Sequence, residues 1–453
     1  MTARLIASEE RRAVMGLGAT GQSVARWWRR QGCPFMALDT RPEMSDSLLA
    51  RQAVGAETPL HFGDIDRSVL DGITELVVSP GVALEHPLVQ YAIDNDVRVI
   101  GDIDLFVAAT SAPVIGITGS NGKSTVTALL ASMISACGRH VAVGGNFGTP
   151  ALDLLEQAAD FYVLELSSFQ LERAKSLNLA VATVLNLSAD HLDRHGSLPR
   201  YHNAKHKIFQ GASAVVANRA DSLTLPLLEG GTQQVLWRPA EPDLQEFGVR
   251  DFDGTPHICR GFTPLLPISE LKLKGGHNLN NVLAALALGT AVDLPMEGLV
   301  EGLKQFSGLP HRCELVLDNA GVSWINDSKG TNVGATRAAL AGLGGQQNVV
   351  LIAGGVGKGQ DFTALLPEVR ENCRRVLTLG ESAREIELAL GAHTPVQRVE
   401  SIEDAVAKAA LLAQPGDVVL LSPACASFDL YSGFEARGEA FREAVLGNVE
   451  QTS

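Results

Sequence analysis

Thr118-Gly-Ser-Asn-Gly-Lys-Ser124 follows the apolar run Val114-Ile-Gly-Ile and precedes an amphipathic stretch from Ser124 to Cys137. A glycine turn between a buried strand and a helix gathers backbone N–H groups and the helix N-terminus around one point, where they cradle phosphates. Gly119, Ser120, Asn121, Gly122 and Thr125 would line such a cradle. Lys123 would contact the β and γ phosphates of ATP, and the Ser124 hydroxyl would ligate Mg²⁺. The pattern GxxxxGK[ST] is broken at one place: Ile117 stands where its first glycine belongs, with Gly116 and Gly119 on either side. A bare glycine turn is the bland alternative.

Glu165 closes the run Val163-Leu-Glu165, and His191 ends Asn186-Leu-Ser-Ala-Asp-His191 beyond the next apolar run. Strand C-termini of an α/β sheet converge on the ligand crevice, so both side chains are expected to face the phosphates. A carboxylate is a natural Mg²⁺ ligand and an imidazole an unusual one. A lone histidine is otherwise a structural or surface residue, and Lys205, in Tyr201-His-Asn-Ala-Lys205, reads by itself as a solvated helix lysine. Gly16-Leu-Gly-Ala-Thr-Gly21, with Asp39 after it, has the form of a dinucleotide fingerprint, with glycines beneath a pyrophosphate and an acid on a ribose. Given a separate ATP site, a nucleotide sugar suits this turn better than a redox cofactor. Thr40 and Arg41 would add polar contacts or simply belong to a surface loop. Three further loops follow strand candidates: Asn326-Asp-Ser-Lys-Gly-Thr-Asn332, Gly354-Gly-Val-Gly-Lys-Gly359 and Ser422-Pro-Ala-Cys-Ala-Ser-Phe428. On one sheet edge they make a pocket, in which Lys358 pairs with an anion while Ser427 and backbone N–H groups fix a second one.

Residues 1–110 alternate strand candidates (Ala13–Gly16, Phe35–Asp39, Leu76–Ser79, Val97–Ile100) with helical stretches, as a parallel α/β sheet requires. A second series over 111–308 carries the strands Val114–Thr118, Phe161–Glu165 and Ala180–Leu187 and the apolar helix Asn278–Ala291. Between Asn218 and Lys274 it weakens into short strands and loops. A third series over 309–453 has strands at Val322–Asn326, Val349–Ala353, Val376–Leu379 and Val418–Ser422. The expectation is three α/β domains: Rossmann-like, P-loop ATPase-type and Rossmann-like. A length of 453 residues accommodates them at roughly 150 residues per domain.

A net charge of −14 excludes a general affinity for nucleic acid or anionic membranes, so an anionic substrate needs a local cationic pocket. The six cysteines form no CxxC pair, which points to a reducing cytoplasm. The opening Met1–Gly16 has no apolar leader core, and no apolar run reaches the roughly 18 residues needed to span a bilayer.

Taken in order, TGSNGKS (118–124), GGNFG (144–148), LELSSFQLE (164–172), NLSADHLDRH (186–195), GGHNLNN (275–281), GLPHR (308–312), NDSKGTN (326–332) and SPACASFD (422–429) resemble the Mur ligase family over essentially the whole chain. The resemblance implies an ATP-dependent ligase of peptidoglycan precursor synthesis, and so of cell shape and division. Such an enzyme activates a substrate carboxylate as an acyl phosphate and joins it to an amine. No Asp-Asn-Pro-Arg motif of the diaminopimelate-adding ligases is present, which favours the step that joins D-glutamate to UDP-N-acetylmuramoyl-L-alanine. The resemblance places the uridine nucleotide at Ala19, Thr20, Asp39, Thr40, Arg41 and Gly81, and the sugar-phosphate part at Asn146, Ser167 and Gln170. It places ATP at the glycine loop, Asn278, Asn281, Arg312 and Asp327. It gives one Mg²⁺ to Ser124 and Glu165 and a second to His191 and Lys205, the lysine being carbamylated. D-Glutamate falls to Lys329, Thr331, Lys358, Ser427, Phe428 and Phe434. Lys123, His191 and Lys205 carry the catalysis, and a monomer is expected. Val356 departs from the family, whose members often have an acidic residue there. Rival readings are a sister ligase, a nicotinamide-dependent dehydrogenase on the Gly16–Gly21 turn and a non-catalytic P-loop switch.

Overall fold

The computed structural model describes residues 10–175, 177–227, 232–273 and 275–452, so the first nine residues, part of the leader reading, lie outside it. Three sheets follow one another along the chain. The first is five-stranded and wholly parallel, in the spatial order Leu60–Phe62, Phe35–Asp39, Arg12–Met15, Glu75–Val78, Arg98–Ile100. Its first turn shows why glycine is needed. Gly16 has φ +91°, and a Cβ at Gly21 would lie 1.8 Å from the Gly16 carbonyl oxygen, so only glycine lets the helix Ala19–Arg30 begin this close to the strand.

The second sheet has nine strands: Thr263–Pro267, Thr255–Arg260, Phe247–Phe252, Gln233–Trp237, Ala214–Asn218, Val181–Val184, Val114–Thr118, Phe161–Glu165 and Val141–Gly145. Val114–Thr118 is buried at every position, as expected of a central parallel strand covered on both faces. Its helices Lys123–Ala136 and Gly276–Ala291 pack together in the same core. The described part of the weak region near 218–274 carries Gln233–Trp237, parallel to both neighbours, and then the antiparallel end of the sheet. There Asp253 and Gly254, at φ +52° and +79°, make the tight turn between two strands. The strand expected over Ala180–Leu187 stops at Val184, and the following residues run on as a loop beneath the glycine turn.

The third sheet runs Glu314–Asn319, Val322–Asn326, Val418–Leu421, Val349–Gly354, Cys373–Leu379, Val396–Arg398, parallel except at its first pair. The expected three-domain α/β fold is therefore present. Between the first two sheets the packing is apolar: Trp28, Phe106, Leu152 and Tyr162 belong to one buried cluster. The two clusters flanking the third sheet contain no residue of the central one. Among the described residues, no helix is long and apolar enough to cross a membrane.

Candidate active site

The glycine turn is braced from the loop after Val181–Val184. Asn121 N–H donates to Asn186 Oδ1 and Asn186 Nδ2 donates to the Asn121 carbonyl, both at 2.9 Å. Ser120 Oγ donates to the Ser188 carbonyl at 3.0 Å and accepts from Ser188 N–H at 2.9 Å. Gly122 caps the helix in the left-handed region, φ +81°, where a Cβ would meet Asn281 Oδ1 at 2.4 Å. Asn281 Nδ2 in turn donates to Asn278 Oδ1 at 3.1 Å, so both expected asparagines stand against the cradle. Lys123 Nζ lies back over the turn, donating to the carbonyls of Gly119 and Ser120 at 2.9 and 3.0 Å. Thr125 is buried in the first helical turn.

Glu165, 2% exposed, receives Ser124 Oγ at 2.5 Å and Asn146 Nδ2 at 2.7 Å. Burial works to raise its pKa, but Lys123, the two hydrogen bonds and Arg312 together hold it below the usual value. It is an anion at neutral pH. Arg312, from the third series, donates through Nη2 to Ser124 Oγ at 2.5 Å. A hydroxyl and a carboxylate oxygen thus meet beside the phosphate cradle, a hard-oxygen donor set of the kind Mg²⁺ takes while keeping waters and phosphate oxygens.

Lys205 is 1% exposed, so it is not the solvated helix lysine of the isolated reading. Its Nζ donates to the Gly119 carbonyl at 2.9 Å and Thr118 Oγ1 at 3.2 Å, and lies 4.8 Å from the centre of the Tyr201 ring. Burial, reinforced by the Lys123 charge, puts its pKa well below that of a free lysine. His191 holds a left-handed φ of +52°, with Nε2 3.7 Å from Asp190 and its ring 5.0 Å from that of Phe169.

Asp327 accepts from Ser422 Oγ at 2.7 Å and Cys313 N–H at 3.2 Å, and burial pushes its pKa up to about 6. The three polar loops of the third sheet follow three neighbouring strands and are stitched together. Val356 and Ala426 exchange both backbone hydrogen bonds at 2.9 Å, and Ala424 N–H donates to the Gly330 carbonyl at 2.8 Å. Lys329 Nζ lies 3.9 Å from the centre of the Phe434 ring. Lys358 is half-buried at φ +53°, Thr331 is half-buried, Ser427 is buried and Phe428 is exposed. The departure at Val356 falls where the backbone, not the side chain, makes the link.

On the first sheet, Asp39 is buried and accepts from Leu17 N–H at 2.6 Å and from the Arg41 guanidinium at 2.8 and 3.0 Å. Thr40 borders an open cavity of about 610 Å³ shared with Asp64, Arg67, His86 and Tyr91. Ala19 and Thr20 start the helix after the glycines, and Gly81 is exposed after Glu75–Val78. Val82, beside it, is held to the central unit by the guanidinium groups of Arg173 and Arg194, at 2.7 and 3.2 Å. Ser167 and Gln170 form the capping box of Ser168–Arg173.

The sequence reading missed Arg437. Its guanidinium, 2% exposed, donates to Ser328 Oγ and carbonyl, the Gly354 carbonyl and the Cys425 carbonyl at 2.8–3.4 Å, one partner residue in each of the three loops. In sequence it is one arginine of an ordinary helix, and no local signal marks it. Asn186 and Ser188 lay inside a quoted motif without a role.

A phosphate cradle with an ionised acid and buried lysines at the edge of a parallel sheet, flanked by two further α/β units, defines a P-loop enzyme of nucleotide chemistry. Residues 10–101 match the Mur ligase MurD-like N-terminal domain, 117–289 the Mur ligase middle domain and 311–425 the Mur ligase glutamate ligase domain. The UDP-N-acetylmuramoylalanine–D-glutamate ligase of Pseudomonas putida is 48% identical over 449 residues, covering 99% of this chain and 100% of that one. The ligase of the same name from Pseudomonas aeruginosa is 49% identical, covering 97% and 99%. Among solved structures, MurF from Acinetobacter baumannii superposes with a TM-score of 0.60 at 18% identity, covering 96% of this chain and 93% of that one. UDP-N-acetylmuramate–alanine ligase MurC from Thermotoga maritima gives 0.58 at 18%, covering 98% and 100%. The chain belongs to the Mur ligase family.

Proposed function

We propose that this chain joins D-glutamate to UDP-N-acetylmuramoyl-L-alanine at the expense of ATP, as a step of peptidoglycan precursor synthesis. The near-full-length identity to ligases of that name supports the substrate pair. The observation that carries the chemistry is the meeting of Ser124, Glu165 and Arg312 at the phosphate cradle. In this reading the glycine turn, Lys123, Asn278, Asn281, Arg312 and Asp327 hold ATP. Ser124 and Glu165 hold one Mg²⁺, and His191 with carbamylated Lys205 a second. When bound, the ions offset charge on the transferring phosphoryl group. The L-alanine carboxylate attacks the γ-phosphorus, ADP leaves, and an acyl phosphate results. Lys123 and Arg312 stabilise the charge spread over the phosphoryl oxygens. The D-glutamate amine then attacks the acyl carbon and phosphate departs, the amine's proton passing to a base such as His191 or a bound water.

Lys205 has the environment its carbamate needs. A depressed pKa enlarges the fraction of neutral amine, whose lone pair adds to CO₂ with loss of one proton to give a carbamate anion. Lys205→Ala should abolish turnover, and short-chain carboxylates should partly restore it. Full activity of the unrescued variant would sink the carbamate.

Asp39, Thr40, Arg41, Ala19, Thr20 and Gly81 take the uridine nucleotide, with Asn146, Ser167 and Gln170 towards the sugar. Lys329, Thr331, Lys358, Ser427, Phe428 and Phe434 take D-glutamate. Six free cysteines agree with a cytoplasmic enzyme, and the chain acts as a monomer. The decisive assay is phosphate release with ATP, the UDP-muramoyl-alanine acceptor and each candidate amino acid in turn. Release that depends on D-glutamate is expected, and release indifferent to it would overturn the assignment.

A further inference from the structure

The third sheet shares no apolar cluster with the central one, yet besides Arg312 a second, buried side chain crosses between them. Asn332, 4% exposed, is the N-cap of the helix Val333–Leu343. Its Oδ1 accepts from Ala335 N–H at 2.8 Å, which fixes the orientation of the amide. The NH₂ group must then face the central unit, where it reaches Asn121 Oδ1 at 3.2 Å and Asp190 Oδ2 at 3.3 Å. One acceptor and two donor hydrogens are all in use. Asn121 is a residue of the phosphate turn, and its backbone is already clamped by Asn186. Asp190 precedes His191. The approach is close: a Cβ on Gly334 would lie 2.9 Å from Ser188 Oγ and 3.4 Å from Asn121 Nδ2. In the chain, Asn332 comes one residue after Thr331 and three after Lys329.

We propose that Asn332 is a positioning residue for the ligation step, a strut that sets the distance between the loop holding the incoming amine and the turn holding the phosphates. It touches neither reactant. It acts through Asn121 and Asp190, and a rigid spacing is what a reaction between groups on two different sheets requires. The inference rests on the ligase reading above, including the acyl phosphate.

Asn332→Asp is the sharpest test, because it keeps the helix cap while replacing the donor NH₂ with an oxygen that repels Asn121 Oδ1 and Asp190. Asn332→Ser keeps a capping oxygen and removes the reach without adding charge. In Asn332→Asp kcat should fall about tenfold or more, with the KM for ATP within about threefold of the parent. Asn332→Ser should show a smaller loss of the same kind, and both should melt near the parent temperature. A loose strut admits water to the activated acyl group, so phosphate released per D-glutamate joined should rise above one, whereas a merely misfolded fraction lowers both together. A kcat within about twofold of the parent in both variants would overturn the proposal. So would a loss that follows a lowered melting temperature with the ratio still at one. D-Glutamate-dependent turnover by the parent protein checks the ligase reading separately, since the strut is judged only on ratios to that parent.

Discussion

Lys329 offers a test of the amino-acid site through pH. Its ammonium stands over the Phe434 ring, and burial, reinforced by the Arg312 and Lys123 charges against the opposing Glu165 and Glu435, brings its pKa down to about 8. A lysine that binds a carboxylate of D-glutamate does so only while protonated, so affinity is present below that pKa and is lost as pH rises through it. Because kcat/KM reports ionisations of the free enzyme, roughly nine-tenths of the population is competent at pH 7 and roughly one-tenth at pH 9, a fall of about tenfold from this group alone. The amine of D-glutamate titrates in the same range and would confuse a bare profile. Lys329→Arg removes the confusion, since a guanidinium keeps its charge throughout and the substrate's ionisation cancels in the ratio of variant to parent. The variant will be slower in absolute terms, but that ratio of kcat/KM for D-glutamate should climb about tenfold between pH 7 and pH 9. A ratio flat across this range would refute the assignment of Lys329 as a titrating carboxylate partner.

Asp102 is buried with Oδ1 unpartnered and a long 3.4 Å bond from Gln170 at Oδ2, and burial raises its pKa to about 6. A raised carboxyl binds its proton more tightly folded than unfolded, so stability falls as pH rises from about 4 to about 6. Asp102→Asn should therefore raise the unfolding free energy read from urea titration at pH 8 by up to about 3 kcal/mol, with no gain near pH 3.5; a loss at pH 8 would contradict this. Gly21→Ala drives a methyl into the Gly16 carbonyl and should cost about 3 kcal/mol or more, read as a lowered melting temperature; parent-like melting would show that the turn is not held this closely. Arg437→Met strips the three loops of their common donor and should raise the KM for D-glutamate by about tenfold or more while leaving the KM for ATP near the parent's; equal changes in both would mean that the guanidinium supports the whole domain.

How far the fold was legible follows strand position. The interior strands Val114–Thr118, Phe161–Glu165, Val322–Asn326 and Val349–Gly354 announce themselves as apolar runs, because a parallel strand buried on both faces has little room for polar side chains. Leu60–Phe62 and Val396–Arg398 carry no such run and Val141–Gly145 and Glu314–Asn319 only three-residue ones, and all four are sheet edges with partly exposed residues. Ala214–Asn218 is the exception, a fully buried interior strand whose Ala-Val-Val-Ala run was there to be read. The candidate site divides in the same way. The glycine turn, Glu165 and the three loops of the third sheet are local motifs at strand ends. Arg437, the Asn186 brace and the burial of Lys205 exist only once distant segments meet.

Charge shows what that meeting accomplishes. The chain as a whole carries −14, yet Lys123, Lys205, Arg312 and Lys329 all have pKa values lowered by burial. Each also feels at least one of the others: Lys123 opposes Lys205 and Lys329, and Arg312 opposes Lys123 and Lys329. Of the nearby acids, Glu165 is held ionised, while Asp327 is pushed by burial towards its neutral form. With Lys205 turned towards its neutral form, Lys123, Arg312 and Lys329 remain a cluster of desolvated positive charge, a costly arrangement in the absence of anions. A triphosphate and two carboxylates would supply the missing negative charge. That is the local cationic pocket an acidic protein needs to handle anionic substrates. Because Arg312 and Lys329 come from the third unit and Lys123 from the second, the field is complete only where the two units meet.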